Sequence, residues 1–367
     1  MTDNIIDPFG TSVVTDYTKL FTELGLKPVT EEMLRGIKKP SLYLRRGIDF
    51  AHRDFDRFLA AAEAKKPIAV MSGIKPSNEF HLGSKMTAEK IIFFQKEFGA
   101  KAFYCIADLE TLVDNQMPLE KTHEIAVNNL ADTLALGLDP KNAYIYKQST
   151  EKRVTNLAYL FSRRITLNHL QSLYGERPLG LYFAAFAQCG DILLPQLKEF
   201  GGVKNVLVPI GVDQDPHIRL VRDVVDRVKD QLKFLPPSSI YHKFFRALDG
   251  EAKMSKRNPM SVLLLNDTPE LAEKKIRCCV DGGRKSAEEQ RRLGGEAEKC
   301  VNYELAKFHF VDDDKALKRI YDECYSGKRL CGECKIEVAK YAVEFLKIHQ
   351  KKKKKMLAIA GKILAGK

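Results

Sequence analysis

The chain has 367 residues, 44% of them hydrophobic, and a formal net charge of +12 at pH 7. This is enough apolar material for a large core and suggests two domains with an appended segment. No run of about 18 apolar residues occurs and the N-terminus carries no apolar stretch. We therefore expect no membrane-spanning helix and no secretory signal, and a cytoplasmic protein.

The predicted elements alternate after an N-terminal extension, residues 1–60, that holds three prolines and short amphipathic pieces. Apolar runs predict strands at residues 67–71, 102–107, 143–146 and 205–210. Apolar periodicity predicts helices at residues 85–98, 122–136 and 213–228. This alternation predicts an α/β domain, residues 61–265, with a parallel sheet that binds ligands outside the carboxyl ends of its strands.

Beyond residue 266 the strand-like runs disappear, so residues 266–367 are predicted to form a helical domain. Its helices are predicted at residues 269–279, 316–324 and 334–363. Residues 335–367 hold ten lysines and two glutamates, a net charge of +8. Such charge suits a phosphate backbone, but a solvated helix face explains it about as well.

A candidate phosphate site follows the first predicted strand, where residues 76–84 read P-S-N-E-F-H-L-G-S. A helix starts there, and its free N–H groups and dipole favour an anion. Gly83 lets a ring or phosphate lie against bare backbone, and His81 can donate a hydrogen bond to it. A single histidine in such a motif is more often structural than catalytic, so this motif alone decides little.

A second motif, K-M-S-K-R, occupies residues 253–257 in a loop between Gly250 and Pro259. Lys253 and Lys256 are mobile charges that suit a leaving pyrophosphate. A basic loop alone is usually only a solvated loop. Two such motifs about 170 residues apart, with an α/β pattern between them, are much rarer by chance.

Together these motifs resemble the paired signature of the class I aminoacyl-tRNA synthetases. Such enzymes activate an amino acid with ATP to an adenylate and pass the acyl group to the terminal ribose of tRNA. Longer strings resemble the tryptophanyl-tRNA synthetases of the archaeal and eukaryotic kind. These strings lie at residues 6–9, 44–55, 211–223, 294–301 and 326–335. The resemblance implies a Rossmann-like catalytic domain and a C-terminal helical anticodon-binding domain. It also implies a homodimer that uses ATP with Mg²⁺, L-tryptophan and tRNA(Trp).

The resemblance assigns ATP binding and catalysis to the two motifs and to the end of the strand predicted at residues 205–210. Its catalytic residues are His81, Ser84, Lys253 and Lys256. Its ATP site adds Lys75, Gly83, Gly211, Asp213, Met254 and Ser255. Asp213 would accept from the ribose hydroxyls, although alone it would pass for a helix cap. Ser84 stands where the family usually has His and Arg257 where it has Ser. A serine hydroxyl still donates to phosphate but carries no charge.

The resemblance places the amino-acid pocket at Met71, Cys105, Gln188, Asp191 and Gln214. Gln188 would bind the α-amino group and Gln214 the substrate's polar groups. Asp191 would accept the indole N–H, a donor without acceptor capacity. Tyrosyl enzymes keep an aspartate there too, but they usually have a tyrosine where this chain has Met71. Other archaeal and eukaryotic tryptophanyl members commonly have Tyr and Gln where Met71 and Cys105 stand.

Four of the eight cysteines, Cys300, Cys324, Cys331 and Cys334, are separated by 23, 6 and 2 residues. Thiols that end in C-x-x-C can bind zinc or an iron–sulfur cluster. The spacing resembles, within one residue, a four-iron cluster motif of some tryptophanyl-tRNA synthetases, and Gly327 and Gly332 suggest a turn between these cysteines. Four unliganded thiols explain the pattern about as well.

Three other functions stay open at this point. A tyrosyl-tRNA synthetase shares the framework. A nucleotidyltransferase that joins a small metabolite to a nucleotide has a similar histidine loop, but it is usually shorter and lacks a basic helical domain. A synthetase-like paralogue that binds RNA without catalysis is suggested by Ser84 and by Ala184, which stands where the family commonly has an aromatic residue. The retained lysines of the second motif argue against it.

Overall fold

The computed structural model describes residues 4–10, 12, 14, 16–251 and 258–366. Contacts divide the chain into two compact units. The first unit consists of Met1–Glu79, Thr87–Lys243 and Met356–Lys367, and the second of Phe80–Met86 and Phe244–Lys355. The last residues belong to the first unit because Ala360 and Leu364 pack into its core. The predicted functional boundary at residue 266 does not coincide with this division and stays a prediction.

A seven-stranded sheet forms the centre of the first unit. Its strands are β1 Lys27–Pro28, β2 Asp49–Arg53, β3 Ile68–Ile74, β4 Lys101–Ile106, β5 Ala143–Lys147, β6 Asn205–Gly211 and β7 Ser238–His242. Their order is β1-β2-β7-β6-β3-β4-β5. The five strands from β7 to β5 run parallel, whereas β1 and β2 are antiparallel. The prediction of a parallel-dominated α/β sheet is therefore confirmed.

Helices cover both faces of this sheet. In chain order they are α1 Lys19–Glu23, α2 Glu31–Arg35, α3 Leu42–Arg45, α4 Phe55–Glu63, α5 Leu82–Phe98, α6 Asp108–Asp114, α7 Leu119–Leu136, α8 Lys152–Ser162, α9 Leu167–Tyr174, α10 Leu179–Leu193 and α11 Asp215–Arg227. One face packs against α8 to α11 and the other against α4, α5 and α7. Successive residues of a strand point to opposite faces. Met71 and Val70 accordingly enter different cores.

The N-terminal extension contributes to the sheet rather than being only appended. In β2, Ala51 lies opposite Tyr241 of β7. Arg53 forms a bidentate ion pair with Asp215, both N–O distances being 2.9 Å. β1 and β2 escaped prediction because the first has two residues and the second, D-F-A-H-R, has charged ends and no apolar run.

The second unit is helical in its described part. Its further helices are α12 Pro269–Cys278, α13 Ala287–Leu293, α14 Val301–Leu305, α15 Asp314–Tyr325 and α16 Cys331–Leu364, the last of which continues into the first unit. The three helices predicted beyond residue 266 are confirmed. An isolated bridge joins His81 to Leu264. Among the described helices, none has the length and apolar character needed to cross a membrane.

Candidate functional site

A cavity of about 300 Å³ opens in the first unit at the carboxyl ends of β3 and β6. These strands are neighbours, but the chain continues from β3 to β4 and from β6 to β7, in opposite directions across the sheet. Such a reversal leaves a crevice that binds ligands in open α/β sheets. All five residues predicted for the amino-acid site line this cavity: Met71, Cys105, Gln188, Asp191 and Gln214. Their roles stay predictions.

Asp191 is a buried carboxyl group of the cavity, with 2% of its surface exposed. It lies on α10 one turn after Gln188, on the same face of the helix. Tyr146 donates its hydroxyl to Oδ1 at 2.7 Å and Gln148 donates its amide to Oδ2 at 2.6 Å. Burial raises the pKa of Asp191 to about 7, although these donors act to lower it. A carboxylate accepts about four hydrogen bonds, so a further donor can still be accepted.

Three residues of the site were not predicted: Gln148 and Glu110, which line the cavity, and Tyr146, which donates to Asp191. Tyr146 lies in β5 and Gln148 directly follows this strand. Polar residues at the carboxyl end of a parallel strand are the signal that would have found them. Glu110 follows β4 by four residues and has no comparable local signal.

Lys75, predicted to bind ATP, is engaged by two carboxylates at the cavity. Its Nζ lies 3.4 Å from Oε1 of Glu110 and contacts Asp114 as well. Burial acts to lower the pKa of Lys75, but these carboxylates outweigh it and the pKa is raised. The ammonium is therefore charged and oriented by protein groups, and a phosphate would have to share it with them.

Met71 and Cys105 give the cavity an apolar side. Both are buried, and burial raises the pKa of the Cys105 thiol, so it is neutral at pH 7. Gly73 lets their two strands approach, since a Cβ there would lie 2.6 Å from the carbonyl oxygen of Cys105. This side of the cavity suits contact with a flat apolar ring.

The end of β6 brings the third predicted motif to the same cavity. Gly211 and Gln214 line it, and Gln214 donates to Oδ2 of Asp213 at 3.0 Å. A Cβ on Gly211 would lie 2.4 Å from Oδ1 of Asp213, so a larger residue there would displace the Asp213 carboxylate. The N-cap residue of α11 is Gln214, so Asp213 is not the helix cap.

In the second unit, His81 precedes α5 with a defined ring orientation. The backbone N–H of Gly83 donates to Nδ1 of His81 at 3.1 Å, which leaves the proton of the neutral ring on Nε2. The hydroxyl of Ser84 lies 3.4 Å from Nε2. Burial lowers the pKa of His81 to about 4. His81 is therefore a neutral donor at pH 7 and brings no positive charge.

Lys253, Met254, Ser255 and Lys256 lie outside the described residues. The ends of their loop are described. Asn258 donates its side-chain amide to Oδ2 of Asp249 at 2.9 Å, which joins the two ends. The backbone N–H of Leu248 also donates to the carbonyl of Ser261 at 2.9 Å. These hydrogen bonds therefore hold the two described ends of the loop next to each other within the second unit.

The four predicted metal-binding cysteines, Cys300, Cys324, Cys331 and Cys334, line one common cavity in the second unit. Three of their sulfurs receive N–H donors at 3.3–3.4 Å. These donors are Tyr303 N to Cys300, Gln290 Nε2 to Cys331 and Asn302 Nδ2 to Cys334. Among the described residues, however, no three His, Cys, Asp or Glu side chains are placed to hold one metal ion.

The predicted glycine turn beside these cysteines is right for one glycine and wrong for the other. Gly327 adopts a φ of +72°, and a Cβ there would lie 2.5 Å from the carbonyl oxygens of Gln290 and Arg291. Gly332, by contrast, is the second residue of α16. The helix carries Cys331 and Cys334 one turn apart, so helical spacing and not a second turn brings them together.

Comparisons with known proteins show which family this chain is similar to. A model of class I tRNA synthetases for tryptophan and tyrosine matches residues 63–347. The tryptophan–tRNA ligase of Hyperthermus butylicus is 40% identical over 95% of this chain and 94% of that protein. That of Aeropyrum pernix is 41% identical over 98% and 97%. The crystal structure of the tryptophanyl-tRNA synthetase from Aeropyrum pernix superposes with a TM-score of 0.91 at 41% identity and covers 98% of both chains.

Proposed function

The chain belongs to the class I tRNA synthetases, among their tryptophanyl members, and on that premise we propose that it activates L-tryptophan with ATP and charges tRNA(Trp) in the cytoplasm. The similarity to tryptophan–tRNA ligases over nearly the full length of both chains carries this proposal. The cavity supports it, because the five residues assigned to the amino acid converge there. The catalytic domain is proposed to span residues 61–265 and the anticodon-binding domain residues 266–367.

In the proposed reaction the carboxylate of tryptophan attacks the α-phosphate of ATP and pyrophosphate leaves. The terminal ribose hydroxyl of tRNA then attacks the carbonyl carbon, and AMP leaves. Asp191 and Gln188 would hold the amino acid, and Asp213 the ribose of ATP. His81 would donate to phosphate through Nε2–H. Magnesium would enter with ATP and bind its phosphates. Positioning and fixed charges then accelerate phosphoryl transfer without a covalent enzyme intermediate.

The direct test is ATP–pyrophosphate exchange with one amino acid at a time, followed by charging of tRNA(Trp). Exchange supported by tryptophan and not by tyrosine is the expected result. Exchange with tyrosine would identify a tyrosyl enzyme. Exchange with neither, together with retained tRNA binding, would identify a paralogue that binds RNA without catalysis.

Asp191→Ala is expected to weaken tryptophan binding by about 1–3 kcal/mol, or about 5- to 150-fold in Kd, because one buried hydrogen bond is lost. The chain contains no tryptophan, so the ligand's own fluorescence, excited at the long-wavelength edge where tyrosine absorbs little, reports binding. Tryptophan affinity that is unchanged in this variant would remove Asp191 from the site.

The affinity is also expected to depend on pH. Burial raises the pKa of Asp191 to about 7, so the carboxylate loses its charge as the pH falls through 7 and binding weakens in that direction. Asp191→Asn should bind weakly at every pH, since its amide nitrogen would face the donors of Tyr146 or Gln148.

The basic run, residues 351–355, is proposed to contact tRNA through its exposed members, which are Lys351, Lys352, Lys354 and Lys355. Replacing Lys351 and Lys354 together by glutamate is expected to weaken charging and to spare tryptophan-dependent pyrophosphate exchange. The dependence of tRNA binding on log salt should become shallower by about one unit for each lost phosphate contact. Lys121→Glu reverses an exposed charge on α7 and serves as control. Equal loss of both reactions would mean that the run is structural.

The homodimer is proposed to form through an exposed apolar face of the first unit. Tyr159 and Phe183 lie on α8 and α10 with ring centroids 5.1 Å apart, and they are 65% and 37% exposed. Leu179 at the start of α10 is 75% exposed, and Val113 of α6 lies against the same helix at Gly180. Contiguous exposed apolar side chains of this kind are typical of protein–protein interfaces.

We also propose an iron–sulfur cluster, in preference to zinc, at Cys300, Cys324, Cys331 and Cys334. The cysteine spacing favours the cluster, because it resembles a four-iron cluster motif of some tryptophanyl-tRNA synthetases. A four-iron cluster binds each thiolate through a different iron, and the four cysteines line one common cavity. The N–H donors to three of the sulfurs also support a cluster, because such hydrogen bonds set cluster potentials.

A further inference from the structure

The five consecutive lysines of α16 do not share one environment. Lys353 is 6% exposed, whereas the other four are exposed. Its Nζ donates to Oδ1 of Asn266 at 2.8 Å. Burying an ammonium costs free energy unless it is well hydrogen-bonded. Lys353 therefore acts inside the second unit and is unavailable to a phosphate backbone.

The neighbouring residue of this face, Gln350, binds the same segment of chain. Its Nε2 donates to the carbonyl oxygens of Leu265 and Asp267, both at 2.9 Å. One face of α16 therefore holds residues 265–267 through a side chain and two backbone groups. These residues follow the loop of the second motif by eight positions.

A buried ion pair fixes the same segment independently of α16. Nζ of Lys275 lies 2.7 Å from Oδ2 of Asp267 and donates to the carbonyl of Val262 at 2.8 Å. Oδ2 of Asp267 also accepts from the backbone N–H of Leu264 at 2.9 Å. Residues 262–267 are thus held in place by this ion pair and by the side chains of α16. We call this segment the strip.

The strip is hydrogen-bonded to the backbone on either side of His81. The N–H of Leu265 donates to the carbonyl of Phe80 at 2.9 Å, and the N–H of Leu82 donates to the carbonyl of Leu263 at 3.3 Å. His81 itself is bridged to Leu264. A displacement of the strip would therefore displace the histidine of the first motif.

We propose that Lys353 is a positioning residue for adenylate formation: with Gln350 it holds the strip, and the strip sets the position of His81. The inference rests on the proposed function, in which His81 donates to a phosphate of ATP. Lys353 therefore differs in role from the other lysines of the basic run. The exposed lysines offer charge on one side of α16, whereas Lys353 supports the first motif on the other side. Lys353 touches no reacting atom and acts only through the strip.

The test is tryptophan-dependent pyrophosphate exchange in the absence of tRNA. Lys353→Ala removes the donor to Asn266 and is expected to lower kcat about tenfold or more, with the KM for ATP and for tryptophan changed less than about twofold. Lys347→Ala removes an exposed lysine from the same helix and is expected to match wild type. Lys353→Gln keeps an N–H donor without the charge and should recover most of kcat.

A second variant separates positioning from folding. Asn266→Leu removes the acceptor, so its effect on kcat should not add to that of Lys353→Ala in the double variant. Full activity of Lys353→Ala beside active wild type would overturn the inference and leave the proposed function intact. So would loss of activity that follows loss of thermal stability and is not recovered by Lys353→Gln. Wild-type protein without tryptophan-dependent exchange would refute the proposed function and this inference together.

Discussion

Alanine at Lys253 or at Lys256 is expected to lower kcat of tryptophan-dependent pyrophosphate exchange by about 10²- to 10³-fold, with the KM for ATP changed only a few-fold. The reason is that charge moves onto pyrophosphate in the transition state. An interaction that grows with this charge contributes to kcat, whereas one that is equal in the ground state contributes only to KM.

The first motif strengthens this expectation, because it brings no positive charge of its own. Burial lowers the pKa of His81 to about 4, and Gly83 occupies its Nδ1. Ser84, where the family usually has a histidine, is a neutral donor as well. Among the residues assigned to catalysis, the two lysines are therefore the cations. His81→Gln, which keeps a neutral donor, should cost less activity than either lysine variant.

Arg257 provides a matched control within the same loop. It carries the same charge, but the resemblance gives it no catalytic role, since the family usually has serine there. Arg257→Ala is expected to reduce kcat less than about threefold, on the order of a lost surface charge. Steady-state exchange at varied ATP separates the two parameters. If the lysine variants change KM alone, the lysines only hold ATP in the ground state.

Three of the four strands that the sequence predicts are buried on both faces, whereas the fourth, β5, is a half-buried edge strand. β3, β4 and β6 consist of apolar runs, because helices cover them on each side. β7, S-S-I-Y-H, was missed because its serines and histidine are polar, although all five residues are buried. Their polar groups find partners only in the folded unit, such as Tyr241 with Asp215 and His242 with Lys90. Such pairs join residues distant in sequence, and no local pattern encodes them.

The residues of the cavity site also divide into those identified from the sequence and those joined only by long-range contacts. The resemblance supplied Asp191 and Gln188, whereas the hydrogen bonds of Tyr146 and Gln148 to Asp191 join residues 45 and 43 positions apart. Lys353 is different, because its position on the buried face of α16 could have been predicted from the sequence. Leu346, His349, Lys353 and Ala360 are buried at helical intervals. The apolar stripe of the helix thus passes through the lysine run, and periodicity would have marked this one lysine as inward-facing.

Protein purified without oxygen is expected to contain about four irons and four sulfides per chain, as for one four-iron cluster on Cys300, Cys324, Cys331 and Cys334. Cys334→Ser should lose nearly all of this iron and destabilise the second unit, since a bound metal centre contributes directly to folding. Cys278→Ser is the matched control. Cys278 ends α12 in the same unit and is exposed, so its variant should keep the iron.

The thiols themselves supply a second, independent measurement. Burial raises the pKa of Cys331 to about 11 and that of Cys334 to about 12, so without metal these side chains stay protonated at pH 7. A cluster binds thiolates, so reconstitution must release protons, and the apparent affinity should increase as the pH is raised toward these pKa values. One equivalent of zinc in place of iron would assign the site to zinc. Anaerobic protein without metal, and without proton release on addition of iron and sulfide, would mean that the four cysteines are free thiols and hold no metal centre.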